Sequence, residues 1–224
     1  MRKTDKVILA LDVDSLPKAG QFIKELQAAI GIFKVGSVLF TAVGPRVIDR
    51  VHRAGCRVFL DLKFHDIPNT VAGAVRQAAR LGVFMLTVHT CGGKEMLEAA
   101  AAAARDEAKK NRSRRPLIVG VTVLTSDKAG ADTAAEVVRR ARLSRECGLD
   151  GVVCSVQEAA AVRKACGKNF IIVTPGIRPA GAGVQDQKRV ATPQTALAAG
   201  ADYLVVGRPI LEAKDPLQAV NELF

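Results

Sequence analysis

Apolar and polar positions fall into alternating blocks along this chain. Short runs rich in Val, Ile and Leu lie at 7–11, 32–35, 57–62, 85–89, 117–123, 151–154, 171–174 and 203–206, each followed by a longer stretch in which apolar residues recur at the helical period. The runs are nearly continuous in apolar character, so they predict strands buried on both faces, as in a parallel sheet. The stretches 17–29, 45–54, 70–81, 94–110, 133–147, 157–166 and 193–199, with a last one at 215–223, predict helices. Gly31, Gly55, Gly82, Gly148, Gly167 and Gly200 each close such a stretch just before the next run, where a left-handed C-terminal cap is expected. The junctions Ala-Gly-Cys, Leu-Gly-Val, Cys-Gly-Leu and Ala-Gly-Ala echo one another without forming a sequence repeat.

Eight strand-then-helix units in 224 residues predict an α/β fold of the (β/α)8 TIM barrel type, one domain spanning 1–224. The competing architecture is an open doubly wound sheet. It would often advertise a glycine-rich first turn, whereas the first run here ends Leu-Asp-Val-Asp-Ser with no G-x-G-x-x-G.

Composition then narrows the function classes. No apolar run approaches the roughly eighteen residues a bilayer span needs, and Arg-Lys-Thr-Asp-Lys after Met1 leads directly into the first strand, so neither a membrane segment nor a signal peptide is expected. Five Cys (56, 91, 147, 154, 166) contain no C-x-x-C, and only three His (52, 65, 89) could supplement them. A thiolate metal site or disulfide framework is therefore not expected, and a reducing cytoplasmic setting is. Four of the Cys read as small core residues, with Cys91 on a loop.

The 33 Lys and Arg against 22 Asp and Glu, net +11, permit nucleic acid, an anionic lipid surface or an anionic small molecule as partner. Aromatic residues are only 4%, one of them Tyr, so stacking platforms for single-stranded nucleic acid are scarce. The densest basic run, Lys109, Lys110, Arg112, Arg114 and Arg115, falls at a helix end, where cations oppose the negative end of the macrodipole. It reads as a solvated helix end rather than a nucleic-acid patch. A basic binding protein using this cluster is the rival reading, and it leaves the charges at the strand ends unexplained.

In a barrel of this kind, chemistry belongs at the C-terminal strand ends and the loops that follow. The first strand ends at Asp12, the second carries Lys34, and the third ends Asp61-Leu62-Lys63. The fifth runs into Thr122, Thr125 and Ser126, the seventh into Gly176-Ile177-Arg178, and the eighth into Gly207-Arg208. Residues two apart on a strand share a face, so Phe59, Asp61 and Lys63 are expected to project together. An ion pair that merely ends a barrel layer is the structural alternative. Burying both ions costs several kcal/mol before pairing repays it, which favours a functional role. Gly176, Arg178, Gly207 and Arg208 lie where barrels commonly bind phosphate, through backbone N–H groups and forked guanidiniums. The segment 179–187, with Ala180, Gly181, Ala182 and Gly183, reads as a lid over that phosphate. His89, at the end of the fourth strand, reads as a hydrogen-bonded structural histidine.

The pattern Asp61-x-Lys63-x-x-Asp66-Ile67-x-x-Thr70, with Asp12 and Lys34, resembles the orotidine 5'-phosphate decarboxylase family. The likeness extends in order through 122–126, 175–178, 186–190 and 206–210, and so covers essentially the whole chain. It implies removal of CO2 from C6 of orotidine 5'-phosphate to give UMP, with no metal, Schiff base or organic cofactor. Lys63 is then the proton donor, set among Lys34, Asp61 and Asp66. The resemblance further implies a homodimer in which Asp66, Ile67 and Thr70 complete the neighbouring subunit's site. Asp12 and Lys34 are implied at the ribose hydroxyls, Asn69 and Thr70 near the sugar or interface, and Thr125 at the pyrimidine edge. Arg178, Gln187, Gly207 and Arg208 are implied at the phosphate. A related group with the same Asp-x-Lys-x-x-Asp, the hexulose-phosphate synthases and ketogulonate-phosphate decarboxylases, works through Mg2+ held by a Glu on the second strand. Lys34 stands there in this chain, and a cation repels the metal.

Overall fold

The computed structural model describes residues 3–124, 132–179 and 191–224. Eight strands, β1 (Val7–Ala10), β2 (Ile32–Gly36), β3 (Arg57–Phe64), β4 (Met85–His89), β5 (Leu117–Val121), β6 (Gly151–Val153), β7 (Ile171–Thr174) and β8 (Tyr203–Val206), pair in parallel with their sequence neighbours. β8 closes on β1 through Val7↔Leu204, Ile8↔Val205 and Leu9↔Val206, so the sheet has no edge.

The helices are α1 (Leu16–Leu26), α2 (Ser37–Val43), α3 (Arg46–Arg53), α4 (Pro68–Arg80), α5 (Gly93–Asn111), α6 (Thr133–Glu146), α7 (Val156–Cys166), α8 (Pro193–Ala198), α9 (Arg208–Leu211) and α10 (Pro216–Asn221). Pro stands in the first turn of α1, α4, α8, α9 and α10, where its missing N–H costs no helical bond. Ser155, Thr192 and Asp215 cap α7, α8 and α10 by accepting backbone N–H bonds. α2 and α9 are additions to the predicted elements. Each is at most two turns long, and α2 (Ser-Val-Leu-Phe-Thr-Ala-Val) buries only Leu39, so neither carries a legible helical period.

The strand period of two sorts the side chains. Ile8, Ala10, Ile32, Phe59, Met85, Val119, Val173 and Val205 form the barrel interior. Leu9, Phe33, Val35, Val58, Leu60, Leu86 and Val88 point outward into a larger layer with α1, α3, α4 and α5. The same parity sets Lys34, Asp61 and Thr87 one step above Ile32, Phe59 and Met85, on the inner face near the C-terminal mouth.

The opposite end carries charges of a structural kind. Asp150, just before β6, accepts from Ile118 N–H at 2.8 Å and from both terminal guanidinium nitrogens of Arg115. Asp202, just before β8, accepts from Ile172 N–H at 2.8 Å and from Arg163 at 2.6 Å. Two of the echoing Gly junctions, at Gly148 and Gly200, thus feed a repeated device that ties one strand's start to its neighbour. Arg115 of the basic run is part of it, while Lys109, Lys110, Arg112 and Arg114 are exposed at the end remote from the mouth.

Five of the six glycines expected in left-handed caps have positive φ; Gly31 does not. α1 already ends at Leu26 and a turn follows, so the chain at Gly31 is entering β2 rather than leaving a helix. Two substitutions should separate these roles. At Gly31 a Cβ meets open space, so Gly31→Ala is expected to be neutral or to raise stability by up to about 1 kcal/mol. At Gly151 a Cβ would fall on the carbonyl oxygen of Ile171, so Gly151→Ala should cost about 3 kcal/mol or prevent folding. Thermal and urea unfolding of the two variants checks both.

Candidate active site

The C-terminal strand ends enclose a cavity of about 220 Å3. Its floor is the top of the apolar interior, Ala10, Phe59, Val173 and Val205, and one wall is Val121, Val123 and Leu124. Asp12, Lys34, Asp61 and Lys63 line it from the ends of β1, β2 and β3, and Gly176, Arg178, Gly207 and Arg208 from the ends of β7 and β8. Six of the predicted charges therefore converge, although 196 residues of chain separate Asp12 from Arg208 (208 − 12).

Asp61 is the hub of the first group. Its Oδ2 lies 2.9 Å from Lys63 Nζ and 3.6 Å from Lys34 Nζ, and Lys34 in turn reaches Asp12 Oδ1 at 3.0 Å. Oδ1 of Asp61 accepts from the hydroxyl of Thr87 at 3.0 Å. The side chains of Asp61 and Lys34 are each only 12% exposed, whereas Lys63, at 37%, stands at the open surface of the cavity. Burial by itself pushes the Asp61 carboxyl up. Lys34, then Lys63, then the hydrogen bonds from Lys63 and Thr87 outweigh that and hold it below the ordinary aspartate value. Gly36 makes room for the arrangement: a Cβ there would stand 3.1 Å from the Lys34 ammonium.

Asp61 and Lys63 do meet, as the two-residue spacing predicts, but plain strand alternation is not the cause. The β3–β4 register shifts between Leu60 and Phe64, and Lys63 has φ of 51°, a left-handed conformation rare outside glycine. A β-bulge, not a flat pleat, turns Lys63 toward its partner. The wide span of β3, two residues beyond the predicted end, contains this bulge.

Asp66, Ile67, Asn69 and Thr70 are not in the cavity. They occupy the β3–α4 turn and the first turn of α4, all exposed, with Ile67 66% exposed. Asp66 Oδ1 accepts from the N–H of Ile67 at 2.6 Å. Thr125 and, of the segment 179–187 expected as a lid, residues 180–187 with Gln187 lie outside the described residues. His89 differs from expectation. Its ring makes no hydrogen bond among the described residues and instead packs 5.7 Å from the His65 ring. Burial first, then the positive fields of His65 and Lys63, push its pKa down, so it is neutral at neutral pH and adds no charge beside Lys63.

Thr87 and Gly36 were missed from the sequence. Thr87 is the one hydroxyl in the apolar run Met-Leu-Thr-Val-His, at an inward-facing position, and that was the available signal.

The sequence model described as the Orotidine 5'-phosphate decarboxylase / HUMPS family matches residues 5–223. The chain belongs to this family. It is 52% identical to the orotidine 5'-phosphate decarboxylase of Moorella thermoacetica, over 100% of this chain and 92% of that one. It is 50% identical to the enzyme of the same name from Trichlorobacter lovleyi, over 97% and 92%. Among solved structures, orotidine 5'-phosphate decarboxylase from Lactobacillus acidophilus superposes with a TM-score of 0.84 at 34% identity, over 98% of this chain and 97% of that one. An uncharacterized conserved protein from Geobacillus kaustophilus gives 0.83 at 36% identity, over 97% of each. Family membership and barrel thus agree with the residue pattern from which both were expected.

The lowered value at Asp61 has a pH consequence. A carboxyl whose folded pKa lies below its unfolded 3.8 contributes stability in full above that pH and loses it as pH falls through the folded value. Asp61→Asn, which leaves Lys34 and Lys63 facing each other, is expected to cost on the order of 3 kcal/mol at neutral pH. Urea melts across the acid range should show the gap between variant and parent constant above about pH 5 and narrowing below about pH 4.

Proposed function

We propose that this protein decarboxylates orotidine 5'-phosphate to UMP and CO2 in pyrimidine nucleotide synthesis, as a carboxy-lyase that uses no cofactor. The observation that carries the reading is the Lys34–Asp61–Lys63 array in a cavity that Arg178 and Arg208 also line. Family membership and relatives with that name over the full chain support it.

The substrate bears a dianionic phosphate at one end and a carboxylate at C6 of a flat ring. Arg178 and Arg208 suit the phosphate, with Gly176 and Gly207 allowing close approach of backbone, and Gln187 joining them. The ribose hydroxyls fit Asp12 and Lys34, which already hold each other at 3.0 Å, and Thr125 takes the pyrimidine edge. The C6 carboxylate then falls beside Asp61 and Lys63. When the C6–carboxylate bond breaks, CO2 departs and the bonding pair stays on C6. The Lys63 ammonium stabilises that pair by its charge and then transfers a proton to C6, giving UMP; solvent returns a proton to the amine. Asp61 holds the Lys63 ammonium in place at 2.9 Å. Binding of the remote phosphate supplies free energy that can be used at the ring.

Two carboxylates line this cavity, Asp12 and Asp61, but the Lys34 ammonium contacts both, at 3.0 and 3.6 Å, which disfavours a divalent cation there. Asp66, Ile67, Asn69 and Thr70 are exposed outside their own chain's cavity, which supports a homodimer in which they complete the partner's site.

The deciding assay follows loss of the orotate chromophore with EDTA present. Turnover is expected; none, or turnover only with added divalent metal, would overturn the reading. Lys63→Ala should lose at least about 1,000-fold in kcat while still binding UMP. Mixing Lys63→Ala with Asp66→Ala subunits should regain activity through hybrid dimers that hold one intact site, and no regain after verified exchange would remove the shared-site reading.

A further inference from the structure

We infer that Thr87 is a positioning residue that holds the Asp61–Lys63 pair in its working geometry. The inference rests on the proposed decarboxylation for its kinetic consequence, but the geometry stands independently of it.

β3 and β4 pair Leu60↔Leu86 and Phe64↔Val88, so β3 spends three residues (61, 62, 63) where β4 spends one (87). Two extra residues in a parallel ladder leave backbone groups without the partners that regular pairing supplies. Lys63, at φ of 51°, turns its N–H inward, and the acceptor it meets is the Thr87 hydroxyl at 2.9 Å rather than a β4 carbonyl. That hydroxyl is fully buried. Because the Lys63 N–H can only donate, Thr87 Oγ1 must accept, and its own proton is directed to Asp61 Oδ1 at 3.0 Å. One hydroxyl therefore closes a ring of contacts. It fixes the backbone turn that aims Lys63, and it orients the carboxylate so that Oδ2 faces Lys63 and Lys34. A proton donated to Oδ1 also favours the ionised carboxylate.

Valine has the shape of threonine and neither function of the hydroxyl. Thr87→Val is expected to reduce kcat about 10- to 100-fold with KM for orotidine 5'-phosphate within about threefold, because the phosphate-binding groups at the ends of β7 and β8 are untouched. Thr87→Ser, which keeps the hydroxyl, should return kcat to within about threefold of the parent. Titration of the Asp61 carboxyl by carbon NMR should show a higher pKa in Thr87→Val and recovery in Thr87→Ser. Should Thr87→Val not fold, Thr87→Ala removes the same hydroxyl with less crowding and is measured in its place. A kcat within threefold of the parent together with an unmoved Asp61 titration overturns the inference; so does a Thr87→Ser variant as impaired as Thr87→Val, since packing of the methyl would then be the cause. A parent chain without turnover removes the proposed function instead, and the Asp61 titration still decides the role of Thr87.

Discussion

The Asp61 carboxylate keeps its charge inside protein because three groups converge on it: the ammonium of Lys63 at 2.9 Å, that of Lys34 at 3.6 Å and the hydroxyl of Thr87 at 3.0 Å. The rest of the mouth depends on this. An isolated carboxylate at this depth would be expelled or protonated, and two lysines without it would repel each other across the same few ångströms. Each partner comes from a different place in the chain, so the arrangement exists only when β2, β3 and β4 are in register.

The barrel supplies that register through its apolar residues. Ile32, Phe59 and Met85 lock the inner face one step below, and the outward-facing Phe33, Leu60 and Leu86 anchor the same strands to the helices. Two ends of one barrel then carry two kinds of charge. At the N-terminal end, Asp150 and Asp202 accept backbone N–H groups of neighbouring strands and pair with Arg115 and Arg163, which ties strands together. At the C-terminal end, Asp61 pairs with side chains at the open cavity, where the charges face whatever enters. The contrast lies in what the carboxylates bind, and it follows the division of labour usual in such barrels.

The bulge in β3 reconciles a tightly packed sheet with a partly exposed amine. A regular strand would carry Lys63 with its backbone N–H in the ladder. The extra residues free the chain to turn, and the Thr87 hydroxyl replaces the lost ladder partner. Beyond this turn the chain runs outward into Asp66 and Ile67, which is why those residues leave the cavity their neighbours line. The proposed sharing of sites between two subunits follows naturally from that outward course.

Fold class was legible from residues because burial on both faces leaves a continuous apolar run and a helix on a sheet leaves a 3.6-residue period. The exceptions were α2 and α9, too short for a period, and Gly31, whose neighbouring helix ends three residues earlier than the pattern suggests. The candidate site was legible where a charge interrupts an apolar strand end, as at Asp12, Lys34, Asp61, Arg178 and Arg208. Thr87 and Gly36 were not, since a threonine suits a strand and a glycine suits a turn whatever lies across from them. By itself the sequence determined the order of eight units and which residues carry charge at their ends, since local periodicity and polarity are properties of the chain. Only the tertiary structure decided which charges share a carboxylate, that a bulge rather than alternation aims Lys63, and that Asp66 and Ile67 face away. Those depend on inter-strand register and on neighbours distant along the chain, which local sequence does not encode.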